Sequence, residues 1–151
     1  MTAAPRHAGS HSVRGLAAPA PAVYVDAVEP PGVVIRRILL VEDDPGVRDA
    51  IRTHLIRFGY QVTAAADGAQ AWTLLGRGPR FAAILVDLYT PRMTGHDLVA
   101  RVRRTPRLRT VPIIVMTGER LPHLPAAEAF LEKPFSREEL AAALARVGAE
   151  P

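Results

Sequence analysis

The stretch Ile84-Leu85-Val86-Asp87-Leu88-Tyr89-Thr90-Pro91-Arg92-Met93-Thr94-Gly95 carries an apolar run into a carboxylate and then into residues that favour turns. The unbroken apolar run from Phe81 to Val86 is typical of a strand that is covered on both faces. In an open α/β sheet such strands deliver functional groups at their carboxyl ends. Asp87 stands at such an end and is a candidate functional residue, although taken alone a turn former or a helix cap is the better interpretation of an Asp there.

Strand and helix patterns alternate from Arg36 onward, which predicts a parallel sheet wrapped by helices. The predicted strands are residues 38–41, 60–64, 81–86, 111–116 and 129–132. The predicted helices begin after the cap residues Asp44, Asp67, Thr94 and Ser136. Between Thr117 and Lys133 the chain carries Pro122 and Pro125, and proline breaks a helix interior. The helix expected between the fourth and fifth strands is therefore predicted to be missing or vestigial.

Length and composition indicate a single folded domain, because 151 residues with 48% hydrophobic content can bury one core. The chain has no Cys, which excludes disulfides. Without Cys, and with five His that show no ligand spacing, a structural zinc site is not expected. Residues 1–34 are rich in Ala and Pro and are predicted to form a disordered tail, followed by a folded domain at 35–149. We expect no output domain, no membrane span and a cytoplasmic location.

Five polar side chains follow the predicted strands and are expected at one edge of the sheet: Glu42, Asp43, Asp87, Thr117 and Lys133. Three neighbouring carboxylates repel one another unless a cation lies among them, and oxygen ligands favour Mg²⁺. Asp87 would then be a nucleophile toward phosphorus, with Thr117 as a hydrogen-bond donor to a phosphoryl oxygen and Lys133 as its counter-charge. Lys133 is the only Lys among 19 basic residues, which fits a need for a compact charge and equally fits chance.

Taken together, these residues resemble the receiver domains of bacterial two-component response regulators over about residues 36–148. The motifs are Ile38-Leu39-Leu40-Val41-Glu42-Asp43-Asp44, Asp87-Leu88-x-x-Pro91-x-Met93-x-Gly95, Thr117 after an apolar strand, and Phe130-Leu131-x-Lys133-Pro134-Phe135. The resemblance implies a doubly wound, flavodoxin-like sheet of five parallel strands in the order 2-1-3-4-5.

The resemblance also implies the chemistry. Asp87 would accept a phosphoryl group from a histidine kinase or a histidine phosphotransfer protein, in a self-catalysed transfer followed by slow autodephosphorylation. Mg²⁺ would be held by Asp43, Asp87 and the main-chain carbonyl of Tyr89, with Glu42 acting through water. The protein would be a signalling protein and not a conventional enzyme.

For the switch, the resemblance implies that the Thr117 hydroxyl and the Phe130 ring move together and that Lys133 contacts the phosphate, with a cis bond to Pro134. Output would pass to a downstream protein partner from a monomer or weak dimer. The family signals mainly through the face built by its fourth helix, its fifth strand and its last helix, so the shortened segment at 118–127 puts that face in doubt. We expect this segment to be mobile before phosphorylation.

Two alternatives accompany this interpretation. A receiver-shaped interaction module without phosphorylation-dependent switching would explain the lost helix, and a phosphatase of the Asp-x-Asp-x-Thr type is disfavoured because Tyr89 stands where its second Asp must lie. The arginines at 101–109 are interpreted as a solvated basic rim, with an acidic protein partner as the lesser option. We expect no nucleic-acid partner, since neither interleaved aromatics nor a reading helix accompanies them.

Overall fold

The computed structural model describes residues 34–120, 123 and 125–150. The predicted tail lies outside the described residues except for Val34, and so do residues 121, 122 and 124 of the shortened segment. The elements in chain order are β1 (Arg37–Val41), α1 (Pro45–Arg57), β2 (Gln61–Ala65), α2 (Gly68–Arg77), β3 (Ala83–Asp87), α3 (Gly95–Arg104), β4 (Ile113–Thr117), β5 (Ala129–Glu132) and α4 (Arg137–Arg146).

The five strands form one parallel sheet in the order β2-β1-β3-β4-β5, which confirms the predicted doubly wound fold. Its register aligns the carboxyl ends of the strands, with Val41 opposite Val86 and Asp87 opposite Met116. The edge strand β2 is mostly half-buried, as predicted, but begins one residue later than expected. Tyr60 is buried and its N–H donates to the carbonyl of Leu55, so it belongs to the turn after α1.

Two apolar cores cover the two faces of the sheet, which explains why the central strands are apolar at every position. Ile38 and Leu40 of β1 face a core shared with α1 and α4, whereas Leu39 and Val41 face a core shared with α2 and α3. All four side chains are fully buried, and each such burial stabilises the fold by about 1.5–3 kcal/mol. The sheet is thus a rigid platform for the residues that follow its strands.

The helix starts agree with the predicted caps. The side chain of Asp44 accepts a hydrogen bond from the N–H of Val47 at 2.9 Å, and Ser136 and Glu139 form a reciprocal capping box. Val47, in the first turn of α1, is 39% exposed. Trp72 of α2 is half-buried and packs at the edge of the core under α2 and α3, with the Arg101 guanidinium 5.4 Å from the ring centroid.

Among the described residues between β4 and β5 there is no helix, so the prediction of a missing fourth helix is confirmed. Arg103 fastens this region instead, and the expectation of a solvated rim was wrong for this residue. Its guanidinium donates to the carbonyls of Arg109, Val111 and Ala126 and to both carboxylate oxygens of Glu128, at 2.7–2.9 Å. Arginine has five N–H donors, and all five are used here.

The four helices of the described part of the chain are each too short or too polar to cross a membrane.

Candidate functional site

Glu42 follows β1 and is almost completely buried, with 1% of its surface exposed. Its N–H donates to the carbonyl of Ala65, which extends the sheet by one residue. One carboxylate oxygen accepts from the N–H of Asp44 at 3.2 Å and the other from Lys133 Nζ at 2.5 Å. Burial raises the pKa of Glu42 above its ordinary value, outweighing the opposite effect of Lys133. A further cation nearby would therefore stabilise the ionised form of Glu42.

Asp87 ends β3 and is 7% exposed. One carboxylate oxygen accepts from the N–H of Tyr89 at 3.0 Å and the other from Lys133 Nζ at 2.7 Å. The close approach of α3 to this strand end depends on Gly95, since a Cβ there would lie 2.3 Å from the carbonyl oxygen of Asp87. The glycine identified in the sequence thus lets the β3–α3 loop fold tightly against the candidate nucleophile.

Lys133 follows β5 and reaches across the sheet edge to both buried carboxylates. Its N–H donates to the carbonyl of Thr117 at 2.7 Å, which anchors the backbone, and its peptide bond to Pro134 is cis. Burial by itself lowers the pKa of Lys133, but the hydrogen bonds to Asp87 and Glu42 outweigh it and raise the pKa above its usual value. Lys133 is therefore held as a cation between two carboxylates on different strands.

Oxygens of Glu42, Asp43 and Asp87 all lie within 4.8 Å of one another, and Asp43 is exposed where the other two are buried. Three carboxylates face a single ammonium group, so the cluster carries an excess of negative charge. A hard divalent cation fits this set of oxygen donors, and Mg²⁺ accepts a few carboxylates while keeping other positions for water or phosphate.

Thr117 ends β4 at the same sheet edge and is 7% exposed, but its hydroxyl is engaged locally. It donates to the carbonyl of Glu119 at 3.0 Å and accepts from the N–H of Glu119 at 3.1 Å. Phe130 lies on the neighbouring strand opposite Val115 and is half-buried against the core under α2 and α3. The structure places Thr117 at the same sheet edge as Asp87, and its hydroxyl is hydrogen-bonded to the backbone of Glu119.

Tyr89 follows Asp87 and its side chain is 53% exposed. The ring meets His96 edge-on at 6.5 Å between centroids, and its hydroxyl lies 3.5 Å from a carboxylate oxygen of Glu119. Its N–H donates to the Asp87 carboxylate, which fixes the backbone at Tyr89. The family resemblance implies that the carbonyl of this residue is a metal ligand.

Arg48 is a residue of this site that the sequence reasoning missed. Its guanidinium donates to the carbonyls of Glu42 and Asp43 at 2.9 and 3.3 Å. It lies in the first turn of α1, four residues after the Asp44 cap, so its side chain can reach back to the end of β1. An arginine four residues after the predicted cap was the sequence signal that could have identified it.

A second missed contact joins the β3–α3 loop to α2. Arg92 adopts a left-handed backbone with φ 64°, and its guanidinium pairs with the buried carboxylate of Asp67. In the same loop the Thr90 hydroxyl donates to the carbonyl of Met93, which also accepts from the N–H of Gly68. The partners are 25 residues apart, and no sequence pattern indicated the pairing.

Comparison with known proteins gives a consistent result. The family model described as the response regulator receiver domain matches residues 38–145. The two-component response regulator ORR11 of Oryza sativa subsp. indica is 32% identical over 133 residues, which cover 83% of this chain and 86% of that protein. The response regulator MprA of a Mycobacterium species is 38% identical over 112 residues, which cover 70% of this chain and 47% of that protein.

The chain also spans about half, 49%, of the two-component response regulator ORR7 of Oryza sativa subsp. japonica, at 34% identity. Among solved structures, the receiver domain of the sensor histidine kinase PA1611 from Pseudomonas aeruginosa has a TM-score of 0.70 and 34% identity, covering 76% of this chain and 99% of that one. That structure has a magnesium ion coordinated in its active site cleft. The chemotaxis protein CheY4 of Vibrio cholerae has a TM-score of 0.70 and 32% identity over the same shares.

Proposed function

This chain belongs to the response regulator receiver domain family, and from that premise we propose that it is a phosphoacceptor in a two-component or phosphorelay pathway. Asp87 is proposed as the residue that receives the phosphoryl group. The observation that carries the proposal is Lys133 Nζ, which contacts both Glu42 and Asp87 while oxygens of Glu42, Asp43 and Asp87 lie within 4.8 Å of one another. A buried carboxylate beside an ammonium and two further carboxylates suits phosphoryl transfer.

We propose that Asp43, Asp87 and the carbonyl of Tyr89 hold Mg²⁺, with Glu42 acting through water. When bound, the ion supplies positive charge to the transferred phosphoryl group and to the crowded carboxylates. Support comes from the excess of negative charge in the cluster and from the raised pKa of Glu42, both of which favour an added cation.

The chain's own residues then have defined tasks. A carboxylate oxygen of Asp87 attacks the phosphorus of a phosphohistidine, the phosphorus–nitrogen bond breaks, and the departing imidazole takes a proton from water. Lys133 stays protonated and moves its hydrogen bond from the Asp87 oxygen to the phosphoryl group. The Thr117 hydroxyl gives up its bonds to Glu119 and donates to a phosphoryl oxygen. Phosphorylation of Asp87 therefore changes the hydrogen bonding of the backbone at Glu119, where the segment toward β5 begins. We propose that Phe130 moves with it.

Further assignments follow from this function. We propose that a histidine kinase or a histidine phosphotransfer protein is the donor, and that a protein partner reads the signal. Residues 35–149 are proposed as the receiver domain, acting as a monomer or weak dimer, with slow autodephosphorylation by water. Because donors of this kind derive from ATP, we place the protein in the cytoplasm.

A second candidate is a receiver-shaped interaction module that does not switch with phosphorylation. The observation in its favour is the absence of a helix among the described residues between β4 and β5, where Arg103 fastens the chain to α3. The intact acidic cluster and Lys133 favour the phosphoacceptor.

The test is incubation with a small phosphodonor such as acetyl phosphate, with and without Mg²⁺, followed by intact mass measurement. The wild type should gain about 80 Da, one phosphoryl group, only when Mg²⁺ is present. Asp87→Asn should gain nothing, and the matched control Asp49→Asn, at an exposed position on α1, should behave as wild type. Equal labelling of Asp87→Asn would exclude Asp87 as the acceptor, and no labelling of the wild type would exclude this function and favour the interaction module.

A further inference from the structure

A cavity of about 510 Å³ lies at the edge of the sheet opposite the acidic cluster. It is bounded by the end of α2 and by the segments that lead into β3 and β4. Its apolar walls are Leu75, Phe81, Leu108 and Val111. Arg80 and Arg107 line the same space. Its size falls within the range of small-molecule sites, which is about 300–1,000 Å³.

The charge of this cavity is one-sided. Among its lining residues, all of which belong to the described part of the chain, none is acidic. Arg80 is exposed, and the described residues give its guanidinium no hydrogen bond or ion pair. Arg77 ends α2 just before the lining residue Gly78, and Arg109 follows the lining residue Leu108, so two more arginines are next to lining residues in the chain. The cavity therefore suits a ligand with more than one negative charge.

The walls are held in place before any ligand arrives. Arg107 donates to the carbonyl of Leu75 at 3.0 Å, which fixes its guanidinium against the end of α2 and leaves its other N–H groups available. Gly78 closes that helix, and a Cβ there would lie 2.5 Å from the carbonyl oxygen of Leu74. On the facing side, Leu108 accepts from the N–H of Val111 in a tight turn. A site whose shape is already formed binds without a large ordering cost.

We propose that this cavity binds a small phosphate-bearing molecule of nucleotide size, with its phosphates on Arg80 and Arg107 and its body against Leu75 and Phe81. Guanidinium groups bind phosphate through paired N–H donors, which explains the arginines. The apolar walls explain why a ligand body, and not inorganic phosphate alone, would fill the space. An acidic protein segment matches the charge too, but a pocket of about 510 Å³ between two short segments suits a compact molecule better than an extended chain.

This proposal does not depend on phosphorylation of Asp87, so it is tested in the full chain without Mg²⁺ or phosphodonor. ATP, tripolyphosphate, adenosine and a hexaglutamate peptide are titrated separately while backbone amide shifts are recorded by NMR. ATP should shift Gly78, Leu108 and Thr110 with saturation. Tripolyphosphate should bind the same amides on the order of tenfold more weakly, since it lacks the body, and adenosine should bind weakly or not at all.

Arg80→Glu is the decisive variant, because this exposed side chain makes no hydrogen bond or ion pair with the described residues that the change would remove. It should weaken ATP binding on the order of tenfold or more, with Arg80→Lys intermediate. Arg52→Glu, an equal charge change at an exposed site on α1, should change binding less than about twofold. Equal weakening by both variants, tighter binding of hexaglutamate than of ATP, equal affinity for tripolyphosphate and ATP, or no saturable shift would each overturn the proposal.

Discussion

Replacing Arg103 by alanine removes the side chain that fastens α3 to the segment before β5. Three of its five hydrogen bonds go to backbone carbonyls of Arg109, Val111 and Ala126, and two go to Glu128. Because no helix covers this part of the sheet among the described residues, these bonds hold the entry into β5. We expect Arg103→Ala to be clearly destabilising, which a solvated arginine would not be.

The magnitude follows from exposure. The Arg103 side chain is 18% exposed and that of Glu128 is 47% exposed, so the ion pair is screened and contributes no more than about 1 kcal/mol. Each carbonyl bond contributes about 0.5–1.5 kcal/mol, at the lower end where water can replace the donor. The expected loss is about 2–3 kcal/mol of unfolding free energy, or a Tm lower by about 10 °C for a domain of this size.

The assay is urea unfolding followed by circular dichroism, with Arg104→Ala as the matched control. Arg104 is the next residue on α3, is exposed, and its side chain has no hydrogen bond to the described residues, so its replacement should cost less than about 0.5 kcal/mol. Arg103→Lys should recover less than half of the loss, because an ammonium cannot reproduce the planar fork. Equal stability of Arg103→Ala and Arg104→Ala would refute the reasoning.

Three further outcomes are expected. Lys133→Arg should remain folded but be phosphorylated by acetyl phosphate on the order of tenfold more slowly than the wild type. The control Arg52→Lys should be phosphorylated at the wild-type rate. A wild-type rate for Lys133→Arg would mean that the single Lys reflects only the composition of the chain. Asp67 is buried, which raises its pKa, but hydrogen bonds from Gln70 and Arg92 outweigh burial and hold the pKa below the usual 3.8. The ionised Asp67 therefore stabilises the fold above pH 3.8, and this stabilisation is lost as the pH falls through the lowered pKa. Measured by urea unfolding, Asp67→Asn should cost about 1 kcal/mol of unfolding free energy at pH 7 and progressively less in acid. A difference in unfolding free energy that stays constant with pH would contradict this. Amides of Gly118 and Arg120 should exchange quickly and slow when beryllofluoride and Mg²⁺ are added, whereas that of Glu119, which loses its bond to Thr117, should not slow; protection of Gly118 and Arg120 before addition would refute a switch that orders this segment.

The strand order and the sheet-edge site could be predicted because local patterns determine them. Continuous apolar runs placed β3 and β4 in the centre of the sheet, and parallel strands necessarily bring residues such as Glu42, Asp87 and Lys133 to one edge. The missing helix was predictable for the same reason, since proline acts on its own neighbourhood.

Contacts between distant segments could not be predicted in this way. Arg103 finds its acceptors on two separate segments, one before β4 and one before β5, whereas the neighbouring Arg104 is exposed, so composition could not distinguish the two arginines. The pairing of Arg92 with Asp67 depends on a left-handed backbone that only the packed loop imposes. Rotamers such as that of Thr117, whose hydroxyl is held by Glu119, likewise follow from the final packing.

The central claim is that Asp87 accepts a phosphoryl group in a site that requires Mg²⁺. It is tested most directly by phosphorylating the wild type with acetyl phosphate, reducing the acyl phosphate with borohydride to homoserine, and mapping the modified residue by peptide mass spectrometry. The account predicts homoserine at position 87 alone, and only in samples that contained Mg²⁺. Modification at Glu42, Asp43 or Asp44, or equal modification of Asp87 without Mg²⁺, would contradict it.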